Sequence, residues 1–108
     1  MALLDLNVEN SDRRARVELQ GELDISSAAR VEEQIEALQS EGLDLLVLDL
    51  RGLSFMDSTG LRLVVRTDEA ARAEGTSFVI VRGPEAVHRV FEIVGLADRL
   101  QFADEPPV

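Results

Sequence analysis

The chain has 108 residues, which suits one compact domain, and 45% of them are hydrophobic, enough to build a core. It carries 21 acidic residues against 11 basic ones, all of them arginine, so its formal net charge is −10. This charge repels nucleic-acid backbones and anionic lipid surfaces, and a chain without Tyr or Trp offers few platforms for stacking bases. Without Cys and Lys, the chain also lacks disulfides, thiol catalysis, cysteine zinc sites, P-loop lysines and Schiff bases.

The hydropathy pattern predicts a soluble, cytoplasmic protein. No apolar run approaches the roughly 18 residues that a membrane-spanning helix needs. No basic and then apolar leader precedes a small-residue cleavage site. We therefore expect neither a membrane nor a nucleic acid among the partners.

The first 40 residues predict a hairpin followed by a helix. Residues 4–8 and 15–19 each alternate apolar and polar side chains, and a polar turn at 10–12 joins them as an antiparallel pair. From Ser26 the period becomes helical, with Ser26 or Asp24 as the cap. The predicted buried stripe of this helix is Ala28, Val31, Ile35 and Leu38.

The middle of the chain predicts an interior strand that turns into a second helix. Residues 43–50 are nearly continuous in apolar character, as in a strand covered on both faces. An Asp-Ser-Thr-Gly turn at 57–60 follows, and a helical pattern runs from Leu61 to about Gly75. The residues expected to face inward are Leu61, Val64, Val65 and Ala71.

The last third predicts a strand, a helix and a short final strand. Residues 77–81 read as the strand, Gly83-Pro84 opens the helix, and residues 100–102 form the final strand. Residues 103–108 are expected to be frayed. The predicted buried stripe of this helix is Val87, Val90, Phe91 and Val94.

Alternation of strands and helices after the hairpin predicts the α/β class, with a mixed, mostly parallel sheet of four to five strands and about three helices. We predict a single domain over residues 1–104 and a short C-terminal tail over 105–108. In such sheets, sites gather in the loops beyond the carboxyl ends of the strands. The loop at 21–24 and the turn at 57–58 should therefore share one edge.

Ser58 is the residue on which the functional interpretation depends. As a nucleophile it would need a base, and His88, the sole histidine, lies in an apolar helix where a surface or half-buried structural role is favoured. No Gly-x-Ser-x-Gly elbow surrounds Ser58, so we expect no enzyme. A helix cap is the simplest role for such a serine, and a site of phosphorylation is the other.

The charged residues around this turn leave several readings open. Asp49 and Asp57 resemble an acidic phosphoacceptor or metal pair only weakly, because a lysine and further acidic ligands are missing. We expect no metal and no cofactor. Arg62 and Arg66 lie four and eight residues after Ser58, on roughly the same helix face. They are either a solvated stripe paired with Asp68 and Glu69 or cations that serve the site.

Three blocks of sequence together resemble the STAS domain, a family named after sulfate transporters and anti-sigma factor antagonists. They occur in the family's order and spacing and span nearly the whole chain. The STAS fold is therefore expected, and a free-standing chain resembles the bacterial anti-sigma factor antagonists. The three blocks are Gly21 to Asp24, Leu48 to Leu61 and Val90 to Leu96.

The resemblance implies a specific role for the turn. Ser58 matches the family serine that is phosphorylated by a partner acting as both anti-sigma factor and serine kinase, and Thr59 is the alternative acceptor. The unphosphorylated protein binds this kinase and frees the sigma factor, and a PP2C-type phosphatase reverses the modification. The core residues Val64 and Val65 should support the site. The expected partner-binding residues are Asp24, Asp57, Ser58, Thr59, Gly60 and Arg62.

An alternative within the same family remains open. The chain can be a STAS subunit of another assembly, such as a lipid transport system or a signalling scaffold. The Ser58 turn would then be an interface cap that no kinase modifies.

Overall fold

The computed structural model describes residues 3–107, which form five strands and three helices in the α/β class predicted from the sequence. Among these residues, none of the helices has the length and apolarity needed to cross a bilayer. In chain order the elements are β1 (Leu4–Ser11), β2 (Arg14–Leu23), α1 (Ala28–Gln39), β3 (Leu45–Met56), α2 (Ser58–Glu74), β4 (Ser77–Val81), α3 (Glu85–Ile93) and β5 (Phe102–Ala103).

The strands form one mixed sheet in the order β1-β2-β3-β4-β5. β1 and β2 pair antiparallel as the predicted hairpin, and the remaining neighbours are parallel. The hairpin turn is Asp12-Arg13, with φ of 53° and 62°, rather than the predicted 10–12. Positive φ at both positions is what a two-residue hairpin turn of type I′ requires. Beside the turn, Arg13 Nη2 lies 3.1 Å from Asp44 Oδ1 at the approach to β3.

Three helices pack on one face of the sheet and bury alternate residues of the central strands. Leu46, Leu48 and Leu50 of β3 and Ile80 of β4 belong to this core. Every second residue of a strand points to the same face, so the intervening residues point away from the helices. A continuous apolar run in β3 therefore serves two faces, as expected for an interior strand.

The face without helices is covered by the C-terminal segment. Val47, Val79 and Val81 point to this face, yet they are buried. Asp104 forms an ion pair with Arg82 at 3.6 Å, and Pro107 lies beside Val47 in a shared cavity lining. Residues 103–107 are therefore not frayed as predicted, because Ala103 belongs to β5 and both Asp104 and Pro107 lie against the sheet; residue 108 is outside the described residues. The domain boundary after residue 104 stays a prediction.

Several element boundaries differ from the predicted ones. β3 continues to Met56 instead of ending at residue 50, because residues 52–56 remain paired with β2 across two irregularities in register. α2 begins at Ser58, three residues before the predicted start. β5 is Phe102–Ala103, and Leu100 is buried in the turn before it.

The buried faces of the helices also required correction. α2 buries Leu63, while Leu61 and Val65 are half-buried; α1 buries its predicted stripe. Val94, predicted to be buried, is 52% exposed because α3 ends at Ile93 and the chain turns there. Val90, also predicted to be buried, is half-buried, and the buried residues of α3 are Val87, His88 and Phe91.

Candidate functional site

The loop after β2 and the turn after β3 lie side by side at the carboxyl edge of the sheet. Leu23 and Met56 are paired at the ends of these two strands. The Asp57 amide then donates to the Leu23 carbonyl at 3.3 Å, which fastens the start of α2 to the end of β2. We call the surface formed by Asp24, Ile25, Phe55, Asp57 and Ser58 the Ser58 edge.

Asp57, rather than Ser58, caps helix α2. Its backbone is extended, with φ −109° and ψ −167°, and its Oδ1 accepts hydrogen bonds from the amides of Thr59 at 2.9 Å and Gly60 at 3.4 Å. A side-chain cap of this kind stabilises a helix by about 0.5–2 kcal/mol. Asp57 alone therefore supplies the side-chain cap of α2, and Ser58 is not needed for it.

Ser58 is the first residue of α2, and it is exposed. Its hydroxyl makes no hydrogen bond with any residue between 3 and 107. Thr59, the alternative acceptor, is half-buried one position further into the helix. The fold thus presents the Ser58 hydroxyl to solvent and makes no structural use of it.

Gly60 lies beneath the site and not on its surface. It is buried, and an added Cβ would come within 2.6 Å of Met56 Cγ and 2.9 Å of Leu23 Cδ2. Real Cβ atoms do not approach so closely, so the glycine lets α2 begin directly over the ends of two strands. This position supports the Ser58 edge and offers a partner little surface.

The Asp24 side chain organises the loop after β2. Its Oδ1 accepts hydrogen bonds from the Ser26 hydroxyl at 2.6 Å and from the Ser26 amide at 2.9 Å. These bonds stabilise the carboxylate and so hold the pKa of Asp24 below its ordinary value, and the bond from the Ser26 hydroxyl has the largest effect. Neither residue caps α1 as predicted: the N-cap is Ser27, whose hydroxyl instead donates to the Glu22 carbonyl at 2.9 Å.

The two arginines after Ser58 have different surroundings. Arg66 Nη1 lies 3.6 Å from Glu32 Oε1 on α1. Arg62 is exposed and forms no ion pair with the residues that the structure describes. Pairing with Asp68, one of the alternatives left open by the sequence, does not occur, because Asp68 Oδ2 is bound by Arg72 Nε at 2.8 Å. Arg62 therefore lies next to Ser58 with its charge unmatched.

His88 and Asp49 do not contribute to the Ser58 edge. His88 is buried, not half-exposed, and its ring packs edge-on against Phe102 with the centroids 4.8 Å apart. Asp49 is buried on the face of the sheet without helices, where Arg51 Nη2 approaches its Oδ2 at 2.8 Å. Over residues 3–107, no three His, Asp or Glu side chains are grouped to hold a metal.

The environment of Asp49 favours its charged form. Burial by itself raises the pKa of a carboxyl, and it is the largest single influence here. Hydrogen bonds from the Arg51 side chain and backbone, with the charges of Arg51 and Arg16, together outweigh it and lower the pKa of Asp49. The ion pair between Asp49 and Arg51 therefore has a structural role in the sheet.

Two apolar side chains of the Ser58 edge were missed by reasoning from the sequence. Ile25 is 83% exposed and Phe55 is 48% exposed. Phe55 reaches the surface at a break in register, since Leu53 pairs with Gly21 and Phe55 with Glu22, leaving Ser54 unpaired between them. The exposure of Ile25 could have been predicted, because an isoleucine stands out in a polar loop. The exposure of Phe55 could not, because periodicity does not reveal the irregular register of β3.

Comparison with known proteins agrees with this fold. The STAS domain family model matches residues 5–106. The chain belongs to the STAS domain family. It is 33% identical to the anti-sigma-B factor antagonist of Bacillus subtilis over 100 residues, which cover 93% of this chain and 91% of that protein.

Solved structures of other proteins have the same architecture as this chain. An anti-sigma factor antagonist from Mycobacterium paratuberculosis superposes with a TM-score of 0.86 at 28% identity, covering 94% of this chain and 86% of that one. The anti-sigma factor antagonist SpoIIAA, in its unphosphorylated form, superposes with a TM-score of 0.80 at 25% identity, covering 94% and 90%. The STAS fold expected from the three sequence blocks is therefore confirmed.

Proposed function

We propose that this protein is an anti-sigma factor antagonist that is phosphorylated on Ser58. The unphosphorylated form binds an anti-sigma factor that is also a serine kinase, and so frees the sigma factor. Phosphorylation weakens this binding, and a PP2C-type phosphatase restores the first form. A relative named as an anti-sigma-B factor antagonist, 33% identical over 93% of this chain, supports the proposal. The protein acts in the cytoplasm as a substrate and binding module rather than as an enzyme.

The observation that carries the proposal is the division of labour between Asp57 and Ser58. Asp57 binds the amides of Thr59 and Gly60, so the helix keeps its cap whatever happens to Ser58. The Ser58 hydroxyl is exposed and unbonded within residues 3–107, as an acceptor of a phosphoryl group must be. Thr59 is the weaker candidate because it is half-buried.

The modification is an ordinary phosphoryl transfer. The Ser58 oxygen bonds to the γ-phosphorus of ATP, the bond to the β-phosphate oxygen breaks, and ADP leaves. The hydroxyl proton passes to a base of the kinase. This chain supplies only the acceptor and the surface that positions it.

The Ser58 edge offers the kinase both charge and apolar contact. A kinase that reaches Ser58 must cover the neighbouring surface, which includes the exposed side chains of Ile25 and Phe55. Burying large apolar side chains at the centre of an interface is a common source of affinity. Asp24 and Asp57 belong to the same edge, so the complementary surface is an apolar pocket with basic groups at its rim. We infer that Ile25 and Phe55 anchor the complex.

Phosphate at this position would act electrostatically. It adds about −1.5 to −2 charge near neutral pH, beside carboxylates at Asp24 and Asp57. A kinase closing over the modified Ser58 must bury a dianion without a matched partner, which costs several kcal/mol. Because about 1.4 kcal/mol is tenfold in affinity, this suffices to separate two partner states without a change of fold.

Incubation with ATP and the anti-sigma factor kinase of the same organism, followed by intact mass, tests the acceptor. We expect one phosphate on the wild type and on Thr59→Ala, and none on Ser58→Ala. Because both residues lie at the helix start, Thr59→Ala is a matched control for local disturbance. Equal incorporation into Ser58→Ala would overturn the assignment. Complete absence of phosphate, with a stable complex formed by another partner, would favour a STAS subunit of a different assembly.

A further inference from the structure

A phosphate on Ser58 would meet a helix start in which the amides of residues 59–61 already have acceptors. The Thr59 and Gly60 amides donate to the Asp57 carboxylate, and the Leu61 amide donates to the Asp57 carbonyl at 3.1 Å. Helix starts commonly hold anions through free amides. Here these three amides are in use, and the group that occupies two of them is itself negative. A cation close to residue 58 would therefore stabilise the phosphate.

Arg62 is placed to supply that cation. It follows Ser58 by four residues, so the two side chains are neighbours on the surface of α2. Side chains in a helix lean toward its N-terminus, so the Arg62 guanidinium can reach back toward residue 58. Arg62 is exposed and unpaired within residues 3–107. Along the same helix, Arg66 is bound to Glu32 and Arg72 to Asp68.

We propose that Arg62 binds the phosphate of phosphorylated Ser58 within the same chain. This inference rests on the proposed function, since it requires that Ser58 is modified. The pairing offsets the repulsion between the phosphate and Asp57. It also withdraws the Arg62 cation from the surface that meets the partner, so that one modification adds negative charge and removes positive charge at the Ser58 edge.

The charged groups around residue 58 make the pairing measurable. Asp24 and Asp57 are acidic residues of the Ser58 edge, Glu22 is paired with Phe55 beside them, and each of these charges disfavours the phosphate dianion. Arg62 opposes them, because a nearby cation favours the more charged form. Removing the Arg62 charge must therefore raise the pKa of the second phosphate ionisation, whose ordinary value is about 6.

The test uses full-length protein with phosphoserine inserted at position 58 during translation, followed by phosphorus NMR over a pH titration. We expect Arg62→Gln to raise the phosphate pKa by about 0.2–0.7 pH unit, the size of an exposed ion pair. Arg62→Lys should restore part of the difference, and Arg66→Gln, which loses the same charge one turn further along, should titrate like the wild type. If Arg62→Gln and the wild type titrate alike, the pairing does not exist. An equal shift in Arg66→Gln would also overturn it, by showing an effect of net charge.

The outcome is independent of whether the kinase is correctly identified. Phosphoserine enters through translation, so the titration proceeds even if no kinase modifies this protein. Failure of the kinase assay with a normal Arg62 effect would refute the proposed function alone. Phosphorylation of Ser58 without an Arg62 effect would refute only this inference.

Discussion

The Asp57 carboxylate accepts the Thr59 amide at 2.9 Å, and this bond leaves the intervening Ser58 free of any structural duty. In a helix start of this kind a serine commonly supplies the cap itself. With the cap one residue earlier, the capping of α2 does not depend on the Ser58 hydroxyl. Under the proposed function, the hydroxyl would gain and lose a phosphate while α2 stays capped.

The separation predicts unequal effects of two neighbouring substitutions on stability. Asp57→Ala should lower the free energy of unfolding by about 0.5–2 kcal/mol, because the Thr59 and Gly60 amides lose their acceptor. Ser58→Ala should change it by less than about 0.5 kcal/mol, as for an exposed residue without bonds. Urea unfolding of the two variants and the wild type measures both values. Equal destabilisation by Ser58→Ala would show that the hydroxyl has a structural role.

The close packing around Gly60 predicts that a larger residue at this position destabilises the protein. Gly60→Ala places a methyl group 2.6 Å from Met56 Cγ, so the start of α2 must lift from the strand ends. Overpacking of this kind costs roughly 1–3 kcal/mol, which thermal or urea unfolding detects. Thr59→Ala is the control at the neighbouring position. Unchanged stability in Gly60→Ala would mean that the contact between α2 and the strand ends is looser than described.

The lowered pKa of Asp49 predicts that its protonation contributes to unfolding of the protein in acid. Its pKa is lowered in the folded protein, so its contribution to stability is full above the unfolded value of about 4 and is lost as the pH falls through the folded value. Asp49→Asn should therefore flatten the stability profile below about pH 4 relative to the wild type. Urea midpoints measured from pH 6 to pH 2.5 give the two profiles, with the exposed Asp98→Asn as control. Parallel profiles for the wild type and Asp49→Asn would contradict the assignment.

The apolar part of the Ser58 edge predicts partner affinity without an effect on folding. Phe55→Ala and Ile25→Ala should each weaken binding to the anti-sigma factor kinase by about tenfold or more, as central apolar anchors do. Ile93→Ala is the matched control, because Ile93 is 76% exposed but lies at the end of α3. Calorimetry with unphosphorylated protein measures the affinities. An equal loss in Ile93→Ala, or none in the other two, would place the interface elsewhere.

Periodicity and turn chemistry predicted the α/β class, the hairpin, the parallel strands and the shared edge of the two loops. They succeeded because alternation in β1 and β2 and the apolar run in β3 follow directly from which faces are buried. The continuation of β3 to Met56 was not predictable, since its irregular register breaks the alternation. Cap assignment also failed, because Asp57, Ser58, Ser26 and Ser27 are all suitable cap residues and only three-dimensional packing chooses among them.

The C-terminal segment shows a second limit of local reasoning. Asp104 and Pro107 carry no strand or helix signal, so residues 103–108 looked frayed. Within residues 103–107, tertiary contacts hold the segment: Arg82 pairs with Asp104, and Pro107 lies beside Val47 on the face without helices. Contacts between distant segments leave no periodic trace in the sequence.

The central claim is that one phosphate on Ser58 determines whether this protein binds the anti-sigma factor kinase or releases it. The direct measurement compares, by calorimetry, the affinity of the anti-sigma factor kinase for the bare protein and for the protein carrying phosphoserine at position 58. A difference of about 100-fold or more in favour of the bare form is predicted, since burying an unmatched dianion costs several kcal/mol. Equal affinities for the two forms would contradict the claim.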